Sequence, residues 1–442
     1  MSNAVYGVLD YASYPFGMLL VAPIILRTIG AAEYGLWMVS TAVVSAGGII
    51  ASGFCDAGIQ HIAKLRGAEK TSRMVHTFRT MLAINLALGS AFALLMWIAS
   101  PYAARHLAVS HLLSLRECLA CLRIASVLIL VRAIEAVSVS TQRAFEQYRG
   151  TVQISTAVRL LTLGSAAVLA LLGKHVESIM ILTAVLFSAG TFLQFQHLQK
   201  FLITNPLWPG FHGQETRTLM RSGVFVWLQA LSSVIFRQFD RILLGLSFGA
   251  AVVAPYSLCI QFAEPLFGLT ASGLSFFFPY LSGRAGILSK HALRRTILKA
   301  LFCNLLLVSC GMALLLAFGS RALQIWAGSA VAYDAKLIFP LIVIGSALSG
   351  LSVTGTYAAQ ALGLFRAVAC ISICSRGALT LLMLYLLHHH GLYGLAQARM
   401  YYGAAALLVY LPLVHQLGFS KADERSTTSL SIAAEFHGGT QL

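Results

Sequence analysis

"FRQFDRILLG", residues 236–245, places Arg237, Asp240 and Arg241 inside an apolar run, with "SGVFVWLQALSSVI" before it and "LSFGAAVVAPYSL" after it. The whole run has the length of a bilayer-crossing helix. A charge at the centre of the hydrocarbon costs about 2.5–3.5 kcal/mol on insertion scales, so charged side chains within a spanning helix face a partner or a water-filled path. At i, i+3 and i+4 the three share one helix face. Two readings of that face stand: Asp240 neutralises Arg237 in a structural pair, or the face lines a cavity that receives an anion.

The rest of the chain supports a membrane setting. Of its 442 residues 58% are hydrophobic and only 10% charged, with a mean hydropathy of +0.79, which excludes an ordinary soluble domain. About 20 apolar residues cross the hydrocarbon. Twelve such segments fall near residues 7–28, 35–63, 79–100, 118–141, 151–172, 178–198, 222–248, 253–283, 298–319, 337–362, 367–387 and 393–415. The expected fold is therefore all-α and polytopic. The polar break at 200–221, with Pro206 and Pro209, divides a six-helix lobe at 1–199 from a second at 222–416, and a polar tail follows at 417–442. "IGAA" at 29–32 against "FGAA" at 248–251, and Arg159 against Arg376, suggest a parallel repeat, whose symmetry places a cavity between the lobes.

A net charge of +16 invites a nucleic-acid reading, but the positions of the charges oppose it. Eighteen of the 31 basic residues, from Lys64 to Arg425, fall on the side of the inner breaks, against six on the other: Arg27, Arg105, Arg116, Lys174, Arg321 and Lys336. The positive-inside rule then sets both termini in the cytoplasm. Arg27 disagrees locally, because it lies at the outer end of the first segment. The remaining seven, Arg123, Arg132, Arg159, Arg237, Arg241, Arg376 and Arg399, lie in spanning segments with four acids, Asp56, Glu135, Asp240 and Glu264. That excess suits a permeating anion. The eight cysteines read as buried thiols; Cys118 and Cys121 have metal-type spacing but no second pair beside them. "HHH" at 388–390 reads as solvated interface, and no metal site is expected. There is no phosphate-binding loop for a nucleotide-driven pump.

"LRTIGAAEYGLWMVSTAVVSAGGIIASGFCDAGIQHIAK" at 26–64 resembles the first hairpin of the polysaccharide flippases, the O-antigen-type branch of the multidrug/oligosaccharidyl-lipid/polysaccharide exporter superfamily. "FDRILLGLSFGAAVVAPYSL" and "HGLYGLAQARMYYGAA" resemble that family's seventh and last spanning regions. The resemblance implies twelve to fourteen helices in two lobes around a central cavity. It also implies transport of a polyprenyl-diphosphate-linked oligosaccharide between leaflets of the bacterial inner membrane, in a pathway with glycosyltransferases and a polysaccharide polymerase.

Arg offers a planar fork of donors and keeps its proton when desolvated. Arg159, Arg376, Arg237, Arg241 and Arg132 are accordingly expected to bind the substrate. Arg132 and Glu135 repeat the i, i+3 spacing and read equally as salt bridge or cavity lining; Arg399 reads as an anchor. Asp240, Glu264, Glu135 and Asp56 are the candidates for coupling to H+ or Na+, Glu264 because Pro265 frees a backbone carbonyl beside it. No cofactor is expected. Two other functions remain open: an ion-coupled multidrug exporter of the same superfamily, and a membrane-embedded glycan polymerase or glycosyltransferase. The short, acid-poor outer breaks at 101–117 and 320–336 oppose the second.

Overall fold

The structure is a computed structural model describing residues 2–67, 71–108, 112–145, 147–200, 208–274, 277–282 and 289–417. Side chains are described throughout except for residues 2–16 and a scattered set that includes Asp56 and Arg237. Among the described residues there is no strand. The helices are α1 (Ser2–Ala51), α2 (Cys55–Gly67), α3 (Thr71–Leu107), α4 (Leu115–Ala144), α5 (Tyr148–Leu171), α6 (Val176–Gln199) and α7 (Gly213–Phe248). After them come α8 (Ala250–Gly273), α9 (Phe277–Ser282), α10 (Lys290–Ala327), α11 (Ser329–Ala335), α12 (Phe339–Ala361), α13 (Phe365–Ala406) and α14 (Tyr410–Gln416).

Eight described helices are long and apolar enough to cross a membrane, so the chain is a multi-pass membrane protein. The difference from twelve has two causes. First, α1 and α13 are each continuous in hydrogen bonding but break direction at a glycine, Gly30 (φ 86°, ψ 170°) and Gly391 (φ 56°, ψ −137°), so each carries two of the segments read from sequence. A side chain at such a φ is strained, which is why glycine stands at both turns. Second, α4 and α7, which carry Arg132, Glu135, Asp240 and Arg241, are not among the eight. With the broken helices divided and these two included, the helices follow the twelve segments.

Cα packing groups the described chain into two compact units. One comprises residues 1–265, 314–343 and 376–400. Its core joins α2, α3, α4, α6 and α7 through Phe54, Ile62, Phe78, Met81, Val137, Leu198 and Leu219. A buried amide network lies in the same unit: Gln142 Nε2 donates to Gln194 Oε1 at 2.9 Å and Gln194 Nε2 to the Thr151 carbonyl at 2.9 Å, tying α4, α5 and α6. Interhelical hydrogen bonds of this kind average about 0.6 kcal/mol in membranes, so the network fixes register more than it adds stability. Arg27, the residue at odds with the positive-inside count, donates Nη2 to the carbonyl of Ile325 in the last turn of α10. A cation there meets the negative end of the helix dipole. Trp326 Nε1 reinforces this contact by donating to the Leu19 carbonyl at 2.7 Å.

The other unit comprises 266–313, 344–375 and 401–442. Phe277, Leu281, Leu293, Ile297, Ala358, Val368 and Leu413 form its core. Asn304 Nδ2 donates to the Gly350 carbonyl and to Thr354 Oγ1, each at 3.0 Å.

Candidate functional site

Asp240 lies on α7 with no solvent exposure. Its Oδ2 accepts from Arg399 on α13, through Nε at 2.8 Å and Nη2 at 2.6 Å, and from the Tyr256 hydroxyl of α8 at 2.7 Å. Oδ1 accepts the Arg241 backbone N–H at 2.8 Å. Asp240 thus joins three helices. The arrangement follows from depth: Asp240 precedes the end of α7 by eight residues, Tyr256 follows the start of α8 by six, and Arg399 follows the Gly391 break by eight. Arg399 is an anchor, as its position in the last segment suggests. Arg237, the local partner considered in the sequence, lies outside the described side chains.

Arg132 and Glu135 form the pair that their spacing allows, Nη1 to Oε2 at 2.5 Å, and Arg132 also sits over the Phe187 ring at 5.1 Å. Glu135 is buried. Both acids are therefore engaged by arginines. Arg241 and Arg376 differ. Arg376 Nη1 donates to Ser232 Oγ at 2.8 Å, and each of the two keeps its Nε buried with no hydrogen-bond partner among the described residues. No described carboxylate forms an ion pair with either. Arg159 is half-buried on α5, and Glu264 is exposed on α8 before Pro265. Asp56 lies outside the described side chains. The structure thus brings Asp240 to Arg399 across two helices, and Arg132 to Glu135 within one.

Two further clusters escape sequence reasoning. In the first turn of α7, Glu215 is 2% exposed and accepts from Arg73 Nε at 2.8 Å, Thr77 Oγ1 at 3.3 Å and His61 Nε2 at 2.6 Å. Burial pushes its carboxyl up, but the hydrogen bonds and charges of Arg73 and His61 outweigh burial and hold it below its ordinary value. Beside it His212 stacks on His76 at 4.1 Å, and Arg79 Nε donates to the Trp208 carbonyl at 2.9 Å. The described part of the 200–221 stretch is thus fastened to α3, and α7 begins within it.

The second cluster is "EYG" at 33–35, which serves packing. Glu33 Oε2 accepts the Val176 N–H at the start of α6 at 2.8 Å, and Oε1 meets His175 Nδ1 at 2.8 Å. That hydrogen bond raises the pKa of His175. Tyr34 is buried, and its hydroxyl accepts from Gln261 Nε2 at 2.9 Å. A Cβ on Gly35 would lie 1.7 Å from the Ala250 carbonyl oxygen, so only glycine permits this approach. The thiols of Cys118 and Cys121 are free and buried, and no group of three metal-binding side chains occurs among the described residues.

Comparisons with known proteins agree with this architecture. The chain is similar over 93% of its length to 87% of the lipid II flippase MurJ in an inward closed conformation, with a TM-score of 0.73 and 13% identity. It is also similar to an inward-facing multidrug resistance MATE family transporter of the MOP superfamily, with a TM-score of 0.67, 14% identity, and 93% and 99% of the two chains covered. A third similarity is to the MATE multidrug transporter DinF-BH, with a TM-score of 0.66, 15% identity, and 94% of each chain covered. At these identities the likeness establishes the fold. No curated protein sequence matches. A family model described as "Polysaccharide biosynthesis protein" matches residues 24–285, which span α1 to α9 and both the "EYG" and "FRQFDRILLG" stretches. The chain therefore belongs to the polysaccharide biosynthesis protein family, on the helical fold of MOP-superfamily transporters.

Proposed function

We propose that the protein is a flippase carrying a polyprenyl-diphosphate-linked oligosaccharide from the inner to the outer leaflet of a bacterial cytoplasmic membrane by alternating access, with both termini in the cytoplasm. The observation that carries this reading is the pair of buried, unpartnered Nε groups on Arg241 and Arg376. A guanidinium cannot shed its charge on desolvation, and a diphosphate offers the planar acceptors that such groups match. Asp240 and Glu135 cannot serve as their counter-charges while held by Arg399 and Arg132. The same balance opposes a cavity for cationic drugs. Glycosyltransferases would supply the substrate and a polymerase would consume it. Ion coupling by H+ or Na+ falls most simply to Glu264, which has no ion pair among the described residues.

The test is surface glycan export in a flippase-deficient host. Arg376→Gln and Arg241→Gln should insert at wild-type abundance and lose export, and Arg241→Lys should be impaired, because an ammonium lacks the fork. Normal export by both Gln variants at matched abundance would remove these arginines from the site.

A further inference from the structure

The segment that leads into α7 is held by its backbone while its rings stay in the open. Arg79 Nε donates to the Trp208 carbonyl at 2.9 Å, the Gly210 N–H donates back to the Arg79 carbonyl at 3.2 Å, and His212 stacks on His76 at 4.1 Å. Trp208 and Phe211 are nonetheless 68% and 67% exposed, and Trp208 is the most exposed of the five tryptophans. Apolar surface in water is unfavourable in proportion to its area, so two rings held out in this way point to a cover. The level at which they are held says what the cover is. Arg79 is the last charged residue of α3 before Arg105, and the charge-free stretch between them, 80–104, rises about 37 Å by helix geometry. The hydrocarbon is about 30 Å thick. The segment is therefore fastened to α3 within about a turn of the point where that helix enters the apolar layer. The first turns of α7 follow at once, with Glu215 and Leu219 buried and Arg217 and Arg221 exposed on the opposite side.

We propose that Trp208 and Phe211 are an interfacial anchor, whose rings enter the headgroup layer of the membrane beside α3 and lay this polar break on the bilayer surface. Indole suits the place, because its ring is apolar while its N–H bonds to headgroups or water, and Trp is enriched at this level of spanning proteins. Arg217 and Arg221 add cations beside the rings, where anionic headgroups attract them. A lipid surface is favoured over a glycan or a soluble protein because the attachment is level with the hydrocarbon edge rather than out in water.

The test is tryptophan fluorescence of the full-length protein in proteoliposomes, wild type against Trp208→Phe, with phosphatidylcholine brominated high on its acyl chains as the quencher from the membrane and iodide as the quencher from water. Brominated lipid should quench a component of the wild-type emission that Trp208→Phe lacks, whereas iodide should quench the two proteins alike. Adding Phe211→Trp to Trp208→Phe should restore the lipid-quenched component, a gain that a disturbed fold would not give. If Trp208→Phe instead loses an iodide-sensitive component and leaves lipid quenching unchanged, the ring stands in water and the proposal fails. It fails too if neither quencher reaches that component, because a protein surface then covers the ring. A component that iodide reaches until a polyprenyl-diphosphate-linked oligosaccharide is added would also overturn it, because the ring would then be a platform for sugar.

Discussion

Replacing Arg399 by Gln removes both charge-assisted hydrogen bonds that reach Asp240 from α13, at 2.8 and 2.6 Å, and leaves a carboxylate of zero exposure held, among the described residues, by the Tyr256 hydroxyl and one backbone N–H. Breaking a buried ion pair from one side costs about 3–5 kcal/mol, against about 0.6 for a neutral interhelical hydrogen bond in a membrane, so the stranded charge decides the size. Asp240→Asn strands Arg399 in the same way. The double variant Asp240→Asn with Arg399→Gln strands neither, and should recover most of the loss, with a coupling of about 2 kcal/mol or more. Tyr256→Phe, which removes one hydrogen bond to a charged acceptor, should cost about 1.5–3 kcal/mol. The reversal Arg237→Asp with Asp240→Arg should not rescue folding, because it sets a second guanidinium against Arg399. The assay is thermal unfolding in detergent, read by fluorescence-detected size exclusion, with folded yield alongside. If Arg399→Gln unfolds with the wild type, or the two single losses simply add in the double variant, the three-helix junction does not hold the fold.

Three more outcomes follow from the geometry. Gly35→Ala should abolish folded yield, because its methyl group would meet the Ala250 carbonyl, whereas Gly164→Ala, with nothing within 4 Å, should leave yield unchanged. Because the folded-state pKa of Glu215 lies below its unfolded value, its stabilisation is full above about pH 4.3 and is lost as pH falls through the depressed value. The difference in unfolding temperature between wild type and Glu215→Gln should therefore hold steady from neutral pH down to that point and shrink below it; a difference independent of pH would show that the carboxylate's charge is idle. On a cysteine-free background, Lys290→Cys should be shielded from impermeant thiol reagents in intact cells and Ala108→Cys labelled, as the asymmetry of basic residues requires.

The spanning helices were legible in the sequence because hydrocarbon thickness sets their length and apolar content, and glycines mark where α1 and α13 turn. Contacts within one helix were legible too: Arg132 meets Glu135 at the spacing that sequence displays. Asp240 shows the limit. Its local candidate Arg237 lies outside the described side chains, whereas the partner that is observed, Arg399, is 159 residues away on another helix, brought there by a packing depth that no helical period encodes. Glu215 was hidden differently, in a polar stretch whose composition reads as linker; only the pairing with Arg73 and His61 shows that it fastens α7 to α2 and α3. "EYG" lies within the 26–64 stretch that carries the family resemblance, but its work in capping α6 and approaching Ala250 was not legible there.

The central claim is that Arg241 and Arg376, half-buried with Nε groups that have no partner among the described residues, receive a diphosphate lipid, and the most direct measurement is translocation in proteoliposomes. The purified protein would be reconstituted with a fluorescent polyprenyl-diphosphate-linked oligosaccharide, and transfer between leaflets followed by its loss of accessibility to a membrane-impermeant quencher. The wild type should translocate the diphosphate lipid well above protein-free vesicles. Arg241→Gln and Arg376→Gln, reconstituted to the same density, should fall to the protein-free rate. Translocation at the wild-type rate by both variants, or by the wild type no faster than protein-free vesicles, would contradict the account.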